Sequence, residues 1–157
     1  MNDKRPEESQ FYDISMRGTS PDLDNVHLYT DRREIIIDTR MSFDIEYEGI
    51  SGTSHFFASL LSSVILSAIQ AFKRESIELD EIEGIVRAQL TNPLRMIPVR
   101  GYEDPCDFTD ITIKLFYYAD GDPKAMDDLI RKSQGSNPIY RLVNRASPVK
   151  LETECVL

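Results

Sequence analysis

The sequence predicts an α+β fold in which mainly antiparallel sheets surround one long buried helix. Three observations carry this reading. Residues 54–72, SHFFASLLSSVILSAIQAF, contain no Asp, Glu, Lys, Arg, Gly or Pro, and exceed ordinary strand length, so they read as a helix. Short stretches of alternating apolar and polar residues lie before and after that run. Two cap-then-proline signatures, Asp122-Pro123 and Asn137-Pro138, place two further helices together near the C-terminus. Strands gathered apart from helices favour α+β over a doubly wound parallel sheet.

In chain order, residues 1–9 read as a frayed, disordered tail. Residues 11–17 alternate weakly through Tyr12, Ile14 and Met16, and 18–24 form a turn. Val26, Leu28 and Thr30 alternate with His27 and Tyr29. A second turn at 31–33 leads to 34–39, whose three consecutive isoleucines are a strong strand signal. These pieces predict an N-terminal antiparallel meander. Residues 42–48 set Phe43, Ile45 and Tyr47 against acidic neighbours, either as a strand or as an extended lead-in to the helix. The 54–72 helix is apolar nearly all round: Phe56, Leu60, Val64 and Phe72 share one side, while Leu61, Ile65 and Ile69 lie on others. Such a helix needs cover on several faces. Its length approaches a membrane span, but Ser59, Ser62, Ser63, Ser67 and Gln70 dilute it and its flanks pattern as soluble strands. It therefore reads as a core or dimer-interface helix.

Beyond it, 82–90 alternate as a strand, and 92–107 form a loop with three prolines and a glycine. Ile111, Ile113, Leu115 and Tyr117 mark the next strand. Asp120-Gly121 turns the chain into a helix running to about Gln134, stopped by Gly135. A short helix follows Asn137 to about Arg145. Val149, Leu151, Thr153 and Cys155 then line one face of a final strand.

The chain has 157 residues, enough for one domain with its own core, and 1–157 read as a single domain. Its net charge of −9 argues against a nucleic-acid footprint or an anionic membrane surface as partner. The polar N-terminus shows no secretory h-region, and two cysteines are too few for a disulfide framework. Both features point to the cytoplasm. His27 and His55 are far apart and no Cys or His cluster has ligand spacing, so no metal is expected. Neither a nucleophile turn nor a phosphate loop is present, and no cofactor is implied.

Two patches, in this order, are more specific. FFASLLSSVILSAI at 56–69 and SNPIYRLV at 136–143 resemble the central-helix motif and the second-cysteine motif of the OsmC/Ohr family of osmotically inducible and organic hydroperoxide resistance proteins. The likeness runs from about Phe11 to the C-terminus. It implies an OsmC-like fold, an intertwined homodimer with paired central helices, and thiol-dependent reduction of organic hydroperoxides. Here the sequence departs from the family. Ser63 stands at the position matching the attacking cysteine and Asn137 at that of its partner. Peroxide reduction needs a thiolate that becomes a sulfenic acid and is resolved by a second thiol; neither residue can do this. The family's glutamate ahead of the helix is also missing, since Thr53, Ser54 and His55 stand there, and Arg17 and Arg40 are the candidates for its arginine.

The expectation is thus an OsmC-like protein that is not a thiol peroxidase. A small apolar organic ligand would bind at the dimer interface near Ser63 and Asn137, where the resemblance implies an apolar funnel, with His55 a further lining candidate. Each residue also has a local reading. Ser63 can return its hydroxyl to the preceding turn, Asn137 is a well-suited N-cap, and His55 can cap or face solvent. The alternative function is a redox or stress-response protein using Cys106 or Cys155. Cys106, however, sits among Glu103, Asp104 and Asp107, whose charges disfavour a thiolate. Cys155 falls on the apolar face of its strand. An interaction role is the third reading.

Overall fold

A computed structural model describes residues 13–38, 51–96, 100–101 and 103–156. The expected tail at 1–9, the alternating stretch 42–48 and Arg40 lie outside the described residues. The chain divides into two compact units, 1–55 and 56–157.

The first unit holds an antiparallel meander of β1 (Arg17–Thr19), β2 (Asn25–Tyr29) and β3 (Glu34–Asp38). Residue pairs Gly18 and Leu28, and His27 and Ile36, fix its register. The first strand lies later than the alternation at 11–17 suggests, and Gly18 is paired rather than turning. The reason is the length of β2. Thr30 Oγ accepts from the backbone N–H of Arg33 at 3.1 Å and closes the next turn, so among the described residues no strand pairs with 13–16. The β1–β2 connection is held by Asp22, whose carboxylate accepts from the backbone N–H groups of Asn25 at 2.9 Å and Asp24 at 3.0 Å. Those bonds favour the ionised form and hold its pKa at about 2. Across β2 and β3, His27 Nδ1 and Glu34 Oε1 lie 2.6 Å apart, which lowers the pKa of the glutamate.

Helix α1 spans Gly52–Arg74, two residues beyond the apolar run at each end. Ser51 caps its start, its Oγ accepting from the backbone N–H of Ser54 at 3.2 Å. The end closes at Ser76, which takes the left-handed conformation at φ 56° while Ile77 N–H donates to Phe72 O at 3.0 Å. No glycine marks this stop, so sequence pattern alone could not place it.

In the second unit, β4 (Glu81–Leu90), β5 (Phe108–Tyr118) and β6 (Lys150–Cys155) form a sheet in that order. β4 runs antiparallel to β5, but β6 runs parallel to it. The expectation of mainly antiparallel sheets therefore holds for the meander, whereas this sheet is mixed. The chain leaves β5 and returns to it in the same direction through α2 (Pro123–Ser133), a 3-10 turn (Gln134–Ser136) and α3 (Pro138–Ala146), the crossover a parallel neighbour requires. Asp110, at φ 52°, sits where β5 has one extra residue opposite Arg87–Gln89. That bulge re-phases the strand, which is why the alternation starting at Ile111 does not extend back to Phe108.

The core joins α1 to β5. Leu60, Val64, Ala68 and Phe72, one helical stripe, are fully buried in one cluster with Ile113, Leu115 and Tyr117. Gly84 of β4 lets the helix approach: a Cβ there would lie 2.9 Å from both Leu61 Cδ1 and Leu115 Cδ2. α1 is long and apolar enough to cross a membrane by length and composition, yet its apolar stripe is buried against the sheet. Among the described residues, the expected cover on several faces is not complete. Phe56 and Leu66 remain 47% and 56% exposed.

A groove beside a closed polar network

Ser63, in the middle of α1, donates its hydroxyl to Leu60 O at 2.8 Å, the local bond such a serine makes. The same oxygen accepts from Asn137 Nδ2 at 3.1 Å. The two positions singled out in the sequence, 74 residues apart, are thus in direct contact. Asn137 is the N-cap of α3: its Oδ1 accepts from Ile139 N–H and Tyr140 N–H, both at 3.1 Å. Its second amide hydrogen goes to Gln134 Oε1 at 3.0 Å. Gln134, also buried, donates from Nε2 to Val64 O at 3.2 Å and to Ser133 Oγ at 3.0 Å. Ser67 donates to Ser133 O at 3.1 Å. The donors of both amides are all in use, as buried polar groups require. The network stitches α1 to the junction of α2 and α3. Gln134 was not legible as part of it, because a polar residue in the KSQGS stretch carries no periodicity, and Ser67 was not, because its bond is to a residue 66 positions away. Asn137 was legible through Pro138.

Beside this network lies a groove of about 510 Å³. Ser63, Leu66, Ser67, Gln70 and Arg74 of α1 form one wall. The other comes from Leu129, Lys132 and Ser133 of α2, the turn residue Ser136, and Asn137 and Ile139. The lining is mixed, not the apolar funnel that the resemblance implies. Apolar side chains lie beside hydroxyls because α1 contributes Ser63 and Ser67, and the α2–α3 junction contributes Ser133 and Ser136.

His55 lies in the first turn of α1, half-buried, and is not among the groove's lining residues. Arg17 is an exposed residue of β1, in the first unit. The two cysteines do not come together. Cys155 pairs in register with Tyr117 near the end of β5, and its Sγ lies 3.8 Å from Ala119 O. Cys106 precedes the start of that strand. Phe108 and Tyr117 stand nine positions apart along β5, a span of about 30 Å, far beyond disulfide reach. The Tyr117 hydroxyl beside Cys155 donates to Asp127 Oδ1 at 2.8 Å. Burial first, then that carboxylate, pushes its pKa above the ordinary phenol range.

This arrangement defines the protein as an α+β chain with the OsmC-like fold. It superposes on an OsmC-like protein from Mycoplasma pneumoniae with a TM-score of 0.74 and 11% identity, over 93% of this chain and 99% of that one. An organic hydroperoxide resistance protein from Elizabethkingia anophelis gives 0.70 and 14%, over 93% and 98%. The organic hydroperoxide resistance protein OhrB of Bacillus subtilis gives 0.59 and 19%, over 90% and 98%. No protein-family model matches the sequence, and no curated protein matches it. What these structures share with the chain at such identities is the fold.

Proposed function

We propose that this chain is a divergent member of the OsmC/Ohr family that does not reduce peroxides and instead binds a small organic molecule in the groove beside Ser63 and Asn137. The observation that carries this is the hydrogen bond from Asn137 Nδ2 to Ser63 Oγ. The residues matched to the two family cysteines remain adjacent, but they form a redox-inert pair inside a satisfied network. With no thiol there, no sulfenic acid can form and no disulfide can resolve it. The remaining thiols are too far apart to substitute for that pair within one chain. The groove's volume falls in the range of small-molecule sites. A cytoplasmic homodimer built on α1 completes the reading. Its support is the uncovered face of that helix, with Leu66 exposed there and Ile139 and Leu142 exposed on α3.

The test is peroxide consumption by the purified protein, with tert-butyl hydroperoxide as oxidant and dithiothreitol as reductant. The expected result is no turnover above buffer. Turnover that a Cys106→Ser/Cys155→Ser double variant abolishes would overturn the reading and place a working thiol at one of those positions. Native mass spectrometry of the same preparation is expected to show a co-purified small molecule.

A further inference from the structure

The groove's donors are unevenly committed. All four lining serines direct their hydroxyl hydrogens into the protein: Ser63 to Leu60 O, Ser67 and Ser136 to Ser133 O, and Ser133 to Ile130 O. The amide of Asn137 is saturated as described. Among the described residues, the lining donors left without a protein acceptor are Gln70, Arg74 and Lys132. Ion pairs among those residues join His27 to Glu34, Lys114 to Glu154 and Lys150 to Glu152, and none engages Arg74 or Lys132.

Gln70 and Arg74 are four residues apart and so share one face of α1. Lys132 reaches the groove from α2. Both cations sit in the last turns of their helices, where positive charge is favoured. Lys73 and Arg131 occupy those same last turns without lining the groove, so helix ends alone do not require Arg74 and Lys132 to face it. Glu75 is the one carboxylate in the lining, leaving a local excess of positive charge in a chain of net charge −9. The acidic surplus lies elsewhere, for instance around a separate hollow of about 360 Å³ bordered by Glu78, Asp80 and Glu81. Leu66, Leu129 and Ile139 provide the apolar part of the groove wall.

We propose that the groove takes a small amphipathic organic anion, its carboxylate held by Arg74 and Lys132 with Gln70 and its apolar body along Leu66, Leu129 and Ile139. This rests on the reading of the groove as a ligand site and names the class of ligand. A carboxylate matches donors that are charged and unpaired, and an alkyl or aryl body matches the wall.

The test is titration of the full chain with octanoate and with octan-1-ol, its uncharged counterpart, followed by calorimetry and by amide chemical shifts. Arg74→Gln, Lys132→Gln and the double variant are measured beside the native protein. Octanoate is expected to bind more tightly than octan-1-ol and to shift amides of α1 and α3. Each single variant is expected to weaken octanoate about tenfold, as for loss of one charge-assisted contact, with octan-1-ol unchanged. Equal affinity for the two probes, or a double variant that keeps native octanoate affinity, would overturn the anion assignment while leaving a ligand groove. Failure of both probes to bind would overturn the groove reading itself.

Discussion

Asn137 concentrates several tasks in one side chain. It caps α3, reaches α1 through Ser63 and orients Gln134. Removing it leaves two backbone N–H groups, a glutamine oxygen and a serine oxygen short of a partner. Asn137→Ala is therefore expected to lower stability by about 2 to 3 kcal/mol, from the lost cap and the unsatisfied buried groups together. Asn137→Ser keeps a capping oxygen and loses only the amide donors, so a cost of about 1 kcal/mol is expected. Urea denaturation of the two variants would measure the difference. Equal losses would show that the amide links to Ser63 and Gln134 carry the whole effect and that the cap contributes nothing. The cap was readable from Asn137-Pro138, since it depends on neighbours in sequence. The link to Ser63 was not, since it depends on two helices meeting.

At the scale of elements, the seam between α1 and the sheet is set by a missing side chain. Gly84 faces Leu61, Ile65 and Leu115, and an added Cβ would meet two of them at 2.9 Å and Ile65 at 3.1 Å. These are methyl ends of side chains packed between helix and sheet, and all three must shift together to admit a Cβ. Gly84→Ala is expected to cost about 1 kcal/mol and Gly84→Val about 2 to 3 kcal/mol, by overpacking that outweighs the gain in strand propensity. Thermal and urea unfolding of both variants would check this, and a stabilised Gly84→Val would show that the helix can move off the sheet at little cost. In the sequence Gly84 looked like one more member of an alternating strand. Its reason lies on other elements, at Leu61 and Ile65 of α1 and Leu115 of β5.

At the scale of the whole molecule, α1 is buried on one side and bare on another. Its apolar stripe is buried, yet Phe56, Leu66 and, on α3, Leu142 at 70% exposed lie bare. The proposed homodimer would bury such side chains, each worth on the order of 1.5 to 3 kcal/mol when fully covered. Sedimentation equilibrium of the native chain is expected to give twice the monomer mass, and Leu66→Glu is expected to shift it toward monomer by placing a charge in the contact. A native chain that sediments as a monomer would remove the dimer from the proposal.

Local chemistry was settled by the sequence alone. The apolar run had to form a helix, Asp122-Pro123 and Asn137-Pro138 had to start two more, and the three isoleucines had to pair as a strand, because propensity and capping act between neighbours. The absence of thiols at 63 and 137 was equally plain, and with it the loss of the chemistry that a cysteine pair would provide there. Only the tertiary structure decided the rest. It set β6 parallel to β5, brought Ser63 against Asn137, parted Cys106 from Cys155, and gave the groove a mixed wall with two unpaired cations. Each of these depends on which distant segments share a surface, and that is determined by the packing of whole elements rather than by any pattern along the chain.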